Sequence, residues 1–438
     1  MPAPEPLTNL AVRTLGPATV ESPLTGILAN RKTSYHWVDE TDRVLIDDTL
    51  TQLRGRDVPL AELPTYEPGG PRRFNFFDAG AKAAIVTCGG LCPGLNDVIR
   101  GIVLMLTEHY GVKDIIGYRN GFAGLVKHEP MPLTPDVVRD INQVGGTILG
   151  SSRGAQDAAV MVDRLVADGV SMLFVIGGDG SLRGALKIAD EISARQLAIG
   201  VIGVPKTIDN DISYIDRSFG FQTAFGRAAE SIRAASVEAR SAPNGVGLVK
   251  LMGRHSGFIA CYAALAKNDA NFVLIPEVAF KLEGPDGFLA GLRRRVEERG
   301  HAVVVLAEGA GQELLANRGV TDASGNARLA DIGALMQQRI GDHFASHGLE
   351  LNLRYVNPSY AIRSVPANAF DSVYCLRLAH NAVHAAMAGY TGMVIGRWHG
   401  RFVHLPIELV VSSRNTVDPD GDLWLTVLEA TGQPRTFG

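Results

Sequence analysis

Cysteine is scarce, with Cys88, Cys92, Cys261 and Cys375 the four in a chain of 438 residues. A disulfide framework in a chain this long would show more. Cys88 and Cys92 stand four apart, but glycines surround them and no His/Cys pair follows, which argues against zinc. They read as buried thiols of a reducing compartment. No apolar run approaches the about 20 residues of a membrane span. The opening "MPAPEPLTNLAVRTLG" shows no basic region followed by an apolar one, so no secretory signal is expected. The final "RTFG" carries no lipidation or peroxisomal signal. A basic excess is missing as well, since 42 Lys and Arg face 46 Asp and Glu for a net charge of −4. Bulk electrostatics therefore favour no nucleic-acid partner. The expectation is a cytoplasmic protein that binds neither membrane nor nucleic acid.

What the chain does contain is apolar residues (46%), moderate charge (20%) and 49 glycines, many at the ends of apolar runs. Its length usually means two or three domains. Residues 1–80 are rich in proline, and "YHWVDETDRVLIDDTL" reads as two short strands with a polar turn in an N-terminal extension packed on a core. From Ala81 onward short apolar runs recur, each closed by Gly or Pro, among them "KAAIVTCGG", "SMLFVIGGDGS", "LAIGVIGVPKT", "GVGLVKLMGR" and "HAVVVLAEGAG". Helical periodicity fills the intervals, in Asn96–Tyr110, "AAVMVDRLVADGV" and "TAFGRAAESIRAASVEAR". In "LTPDVVRDINQVGG", Thr134 is placed as an N-cap and Pro135 as the first helical residue. Continuous apolar strands alternating with helices predict an α/β chain with parallel sheets covered on both faces. Ligands of such sheets bind beyond the carboxyl ends of the strands, so the glycine-rich loops there are where chemistry is expected.

Three of these loops carry suggestive residues. "TCGGLCPGLNDVIRG" brings Gly89, Gly90 and Gly94 to a strand end before a helix. That helix N-terminus suits phosphate; glycines in a tight βα turn could equally serve sterics alone. "FVIGGDGSLRGALK" places Asp179 in a glycine-lined turn, with Ser181 and Gly184 entering the next helix. A carboxylate there suits Mg²⁺, which takes one or two carboxylates plus phosphate oxygens and water, or it caps the helix. "VPKTIDND" offers Asp209 as a base for an acceptor hydroxyl, Lys206 for the transferred phosphate and Thr207 as a hydrogen-bond donor. An Asx-rich turn closed by a surface ion pair is the plain alternative. Farther on, Arg254 follows a strand in "KLMGRHSG", Glu308 ends one in "VVVLAEGAG", and "LRYVNPSYAIRSVPAN" holds Arg354, Tyr360 and Arg363. Arginine forks suit a phosphomonoester and a strand-end glutamate suits sugar hydroxyls, although each arginine alone is more often a surface or ion-pair residue. His255 beside Arg254 reads as incidental.

Taken in order, "GGLCPGLNDVIRG", "NGFAGL", "GGTILGSSR", "GGDGS", "PKTIDND", "KLMGRHSGF", "AEGAG" and "PSYAIRS" resemble the phosphofructokinases over roughly Lys82 to Trp398. The resemblance implies two Rossmann-like doubly wound domains with an N-terminal extension. On this chain it implies an extension over 1–80, a phosphate-donor domain over 81–220 with a return segment at about 362–411, and a sugar-phosphate domain over 221–361 with a C-terminal segment at about 412–438. It implies fructose 6-phosphate as acceptor, Mg²⁺ as cofactor, a donor of ATP or pyrophosphate, and a homodimer or homotetramer. By the same resemblance Gly89, Gly90, Arg153, Gly178, Asp179, Gly180, Ser181 and Gly184 meet the donor, with Asp179 the metal ligand. Asp209 activates the sugar 1-hydroxyl, assisted by Lys206 and Thr207. Thr207, Asp209, Asp211, Met252, Gly253, Arg254, Glu308, Arg354, Tyr360 and Arg363 meet the sugar phosphate. Two departures point to the family's pyrophosphate-related branch. Tyr360 replaces a histidine of the short bacterial ATP enzymes, and "APNGVG" stands where they have an arginine, supplied from a neighbouring subunit, shortly before "MGR". Lys206 fits that branch too, but Gly180 points to ATP. Pyrophosphate-dependent members carry an aspartate at that position, which would fill the space of the nucleotide α-phosphate and repel it.

Overall fold

A computed structural model describes residues 10–26, 37–55, 58–59, 62–315 and 329–438. The site depends on strands β1 (Lys82–Thr87), β2 (Met172–Gly177), β3 (Gly200–Pro205), β4 (Gly245–Leu251), β5 (His301–Ala307) and β6 (Asn352–Val356). It also depends on helices α1 (Leu95–Leu104), α2 (Gly121–Lys127), α3 (Asp179–Ala194), α4 (Phe221–Arg240) and α5 (Ala369–Met387). The chain divides into two compact units. The first holds 1–207, 212–219 and 366–414, and the second holds 208–211, 220–365 and 415–438.

Among the described residues, nine strands make the sheet of the first unit. Its centre is parallel, in the order Met393–Trp398, β3, β2, β1, Asp114–Tyr118. Antiparallel strands flank it: Pro130–Pro132 on one side, Arg401–Pro406, Thr65–Pro68 and Val44–Leu45 on the other. Every residue of β2 and β3 is buried, as expected of strands covered on both faces. Each fully buried Val or Ile among them contributes about 1.5–3 kcal/mol. α3 lies over the sheet because Leu182, Ala185, Ile188, Ala189 and Ile192 repeat at helical spacing and are buried. The second unit carries a fully parallel sheet in the order Phe272–Leu274, β5, β4, β6.

Two local expectations do not survive. Residues 134–140 form turns that run into a short 3₁₀ stretch, Ile141–Gln143, rather than a helix. Thr134 does cap the first turn, its Oγ1 accepting from Val137 N at 3.3 Å. Asn96 Nδ2 then donates to the carbonyls of Ile141 and Val144, binding them outside any helical ladder. In the acidic stretch, Tyr35 and His36 lie outside the described residues; of residues 37–50, only Val44–Leu45 is a strand. Asp39 and Asp42 side chains there capture the backbone N–H groups of Thr41 and Asp39, the local bonding that competes with strand pairing.

Candidate active site

In the first unit, three strand-end loops are tied together. Gly89, at φ +84°, follows β1; its N–H donates to Ser152 O at 3.2 Å, and Ser151 Oγ donates to its carbonyl at 2.6 Å. Cys88 N donates to Ile176 O and Lys206 N to Gly177 O, so the ends of β1, β2 and β3 stay in step. Lys206 is buried, and its ammonium donates to Gly90 O at 2.7 Å. A Cβ on Gly89 would lie 3.7 Å from both Lys206 Nζ and Ser181 Oγ, which marks how closely the loops converge. Arg153 stands exposed just after Ser152.

The loop after β2 opens α3 at Gly178, and no side chain caps that helix end. Its first N–H groups therefore face outward, the arrangement that favours an anion. Gly180 is exposed, with no atom within 4 Å of a Cβ built there. Gly184 differs, because a Cβ would sit 2.6 Å from the Phe122 ring of α2, so this glycine serves close packing of two helices. Gly94 likewise makes room for Phe219 and Cys375. Asp179 forms ion pairs with Arg183 at 3.3 Å and Arg414 at 3.6 Å. The sequence alone singles out neither arginine. Arg183 stands four residues after Asp179 on the same helix face, a spacing that could reveal it; Arg414 has no such signal.

The chain passes from the first unit to the second between Thr207 and Ile208. Ser218 Oγ donates to Thr207 O at 2.6 Å within the first unit. In the second, Ser256 Oγ donates to Asp209 O at 2.9 Å, Asn415 N to Asp211 O at 3.0 Å, and Asn415 Nδ2 to Asn210 O at 3.2 Å. The main chain of 209–211 is thus held through its carbonyls, and the Asp209 side chain is half-buried.

Glu308 follows β5, and its N–H donates to Leu251 O at 2.9 Å, while Gly309 N donates to Gly253 O at 3.0 Å. A Cβ on Gly309 would collide with Arg254 O, and one on Gly253 (φ +132°) would come within 2.7 Å of Ser256 O. These glycines let the "MGR" and "AEG" turns press together, with Met252 half-buried beside them. Burial pushes the Glu308 carboxyl above the usual glutamate range, while Lys250, Arg254 and Arg363 pull it back. Lys250, also unmarked in the sequence, donates to Asp331 at 2.8 Å. Arg363 lies 5.0 Å over the Tyr360 ring, which is 65% exposed. Arg254, Glu308, Arg363 and Tyr360 therefore gather. Arg354 does not join them: it sits mid-strand in β6, level with Gly247, and faces Glu238 at 3.8 Å. About four residues of strand, roughly 13 Å, separate that level from the end of β4.

Among the described residues no three His, Cys, Asp or Glu side chains are placed to hold a metal. Any metal held at Asp179 would draw its remaining ligands from the donor and water, as Mg²⁺ does.

Solved structures first define the architectural class. A Pichia pastoris phosphofructokinase in its T-state matches with a TM-score of 0.63 at 23% identity, covering 81% of this chain and 37% of that one. A pyrophosphate-dependent phosphofructokinase from Marinobacter aquaeolei matches at 0.67 and 21% identity, covering 80% and 91%. At such identities the likeness is one of fold. The family profile described as Phosphofructokinase matches residues 82–386, and the chain belongs to that family. An ATP-dependent 6-phosphofructokinase of Amycolatopsis methanolica is 57% identical over 99% of this chain and 96% of its own length. Another, from Borreliella burgdorferi, is 47% identical over 97% of each chain.

Proposed function

We propose that the chain is an ATP-dependent 6-phosphofructokinase, transferring the γ-phosphoryl of MgATP to the 1-hydroxyl of fructose 6-phosphate. The observation that carries this is the convergence of three strand-end loops on Lys206, beside an uncapped helix start at an open Gly180. Such a cradle matches what phosphoryl transfer requires, namely positioning and charge stabilisation. The near-full-length identity to ATP-dependent relatives supports the same donor.

In this reading Asp209 takes the proton of the 1-hydroxyl as its oxygen bonds to the γ-phosphorus and the bond to ADP breaks. Gly89, Gly90, Gly178, Gly180 and Ser181 present the donor side, with Arg153 reaching the phosphates and Gly184 shaping α3 against Phe122. Asp179 would hold Mg²⁺ together with phosphate oxygens, and the ion would supply charge neutralisation; the open Gly180 and the carboxylate in the first turn of α3 fit such a group. Lys206 braces the loops through Gly90 O and adds positive charge near the transferred group, with Thr207 beside it. Glu308, ionised, accepts sugar hydroxyls. Arg254 and Arg363 take the 6-phosphate, with Met252, Gly253, Asp211 and Tyr360 completing the acceptor side. Arg354, turned to Glu238 in this protomer, is kept as a 6-phosphate ligand only on the resemblance. The first unit thus serves the donor and the second the acceptor. The reading extends to a cytoplasmic homodimer or homotetramer.

The test is a coupled assay of the purified protein with fructose 6-phosphate, Mg²⁺ and either ATP or pyrophosphate. Bisphosphate formation with ATP is expected. Turnover with pyrophosphate alone would overturn the donor assignment.

A further inference from the structure

The Asp179 carboxylate faces two guanidiniums, Arg183 at 3.3 Å and Arg414 at 3.6 Å. Two guanidiniums therefore share one carboxylate beside the open helix start. A free dication has to displace both guanidiniums from Asp179 with nothing to offer them, whereas a metal-bound polyphosphate gives them phosphate oxygens in exchange. Neither ion pair is tight. Both are long, and the side chains keep 33% exposure at Asp179, 54% at Arg183 and 33% at Arg414. Pairs of that kind are weak and exchangeable. The arginines are nevertheless well placed. Arg183 also donates to Val411 O, and the backbone of Arg414 bridges Ile212 while its neighbour Ser413 bonds Ser213 at 3.0 Å. Arg183 lies one helical turn beyond Gly180, on the side where the helix start is open.

We propose that Arg183 and Arg414 are donor-phosphate ligands, held by Asp179 until a metal-bound polyphosphate takes the carboxylate and releases both forks to its phosphate oxygens. This rests on the donor reading above. Guanidinium forks match phosphate oxygens in a way they match no single metal-bound carboxylate, so the exchange improves the pairing of all three groups. It also makes entry ordered: the metal arrives on the polyphosphate and does not bind Asp179 alone.

Binding without turnover tests it, in the absence of fructose 6-phosphate. By calorimetry with MgATP, Arg183→Gln and Arg414→Gln should each weaken binding by about tenfold or more, the weight of a hydrogen bond to a charged group. Fructose 6-phosphate affinity should be unchanged, and Arg183→Lys should recover part of the loss, separating charge from folding. By electron paramagnetic resonance, Mn²⁺ should bind the wild type only with ATP present, and bind the double Gln variant without it. ATP affinities within about twofold of the wild type in both single variants, or Mn²⁺ binding to the wild type alone, would overturn the proposal. Running pyrophosphate in parallel keeps the two readings apart. Arginine-dependent binding of pyrophosphate but not ATP sinks the donor reading and leaves the arginines assigned; arginine-independent ATP binding does the reverse.

Discussion

In the first unit, main-chain atoms stitch the loops beyond the strands: Cys88 to Ile176, Gly89 to Ser152, Lys206 to Gly177, with one ammonium on Gly90 O. In the second unit main-chain bonds fix the turns, but the groups that meet there are ionic, with Glu308 half-buried among Lys250, Arg254 and Arg363. The proposed donor side is a cradle built mainly from backbone bonds between loops. The proposed acceptor side contains a carboxyl that burial raises and three cationic neighbours pull back. Substitutions on the first side should therefore act through conformation and donor affinity, and on the second through charge and pH.

Asp209 stands where the chain crosses between these regimes, and its substitution should have the largest effect. Ser256 Oγ bonds the backbone carbonyl of Asp209, a contact that Asp209→Ala keeps. Loss of a general base predicts a fall in kcat of about 10²–10⁴-fold, with fructose 6-phosphate binding by calorimetry retained. A kcat near wild type would remove Asp209 from the mechanism. Gly180→Asp comes next. With no atom within 4 Å of the new Cβ, the backbone is not strained and the effect is one of charge and occupied space. ATP affinity should fall about tenfold or more, since like charges a few ångströms apart repel by several kcal/mol before screening. Pyrophosphate should lose far less, and equal losses for both donors would refute the argument from the α-phosphate.

The same contrast explains what the sequence disclosed. Glycine followed by a helix start after an apolar run is a local signal, so the loops at Gly89, Asp179 and Lys206 were legible, as was the α/β pattern of buried strands. Side-chain groupings are not local. Lys250 reaches Glu308 because β4 and β5 are neighbours, and Arg414 reaches Asp179 only because the chain returns to the first unit after residue 365. Arg354 reads like Arg363 in the string, yet strand register sets it beside Glu238. The turn at 134–140 has a helical look because Thr-Pro is a start signal, but Asn96, some forty residues earlier, holds the carbonyls that follow.

Two smaller effects sharpen the comparison. Gly89→Ala puts a side chain at φ +84° and tightens the space beside Lys206 and Ser181. Backbone strain of that kind costs about 1–3 kcal/mol. The KM for ATP should rise several-fold while that for fructose 6-phosphate holds. If both rise together, the cradle is not confined to the donor side.

Lys250→Met is the mildest test and the one specific to the acceptor side. Burial raises the Glu308 carboxyl, and Lys250 is the strongest of the groups holding it down. In the proposed reading, ionised Glu308 is the form that accepts sugar hydroxyls. The KM for fructose 6-phosphate should therefore climb as pH falls through its raised pKa, starting above the ordinary glutamate value of 4.5. Without Lys250 that limb should move to higher pH, with kcat and the KM for ATP unaltered. The stability sign runs with it. Between pH 4.5 and the raised pKa the folded chain binds more protons than the unfolded one, so this group's contribution is complete below 4.5 and fades as pH rises. Tm should accordingly drop more in Lys250→Met at neutral pH than at pH 4.5. That drop comes on top of the loss of the exposed Asp331 pair, which is roughly 0–1 kcal/mol. A KM–pH profile superimposable on the wild type would mean that Glu308 does not need its charge, and the ionic character of the second unit's turns would then play no part in binding the acceptor.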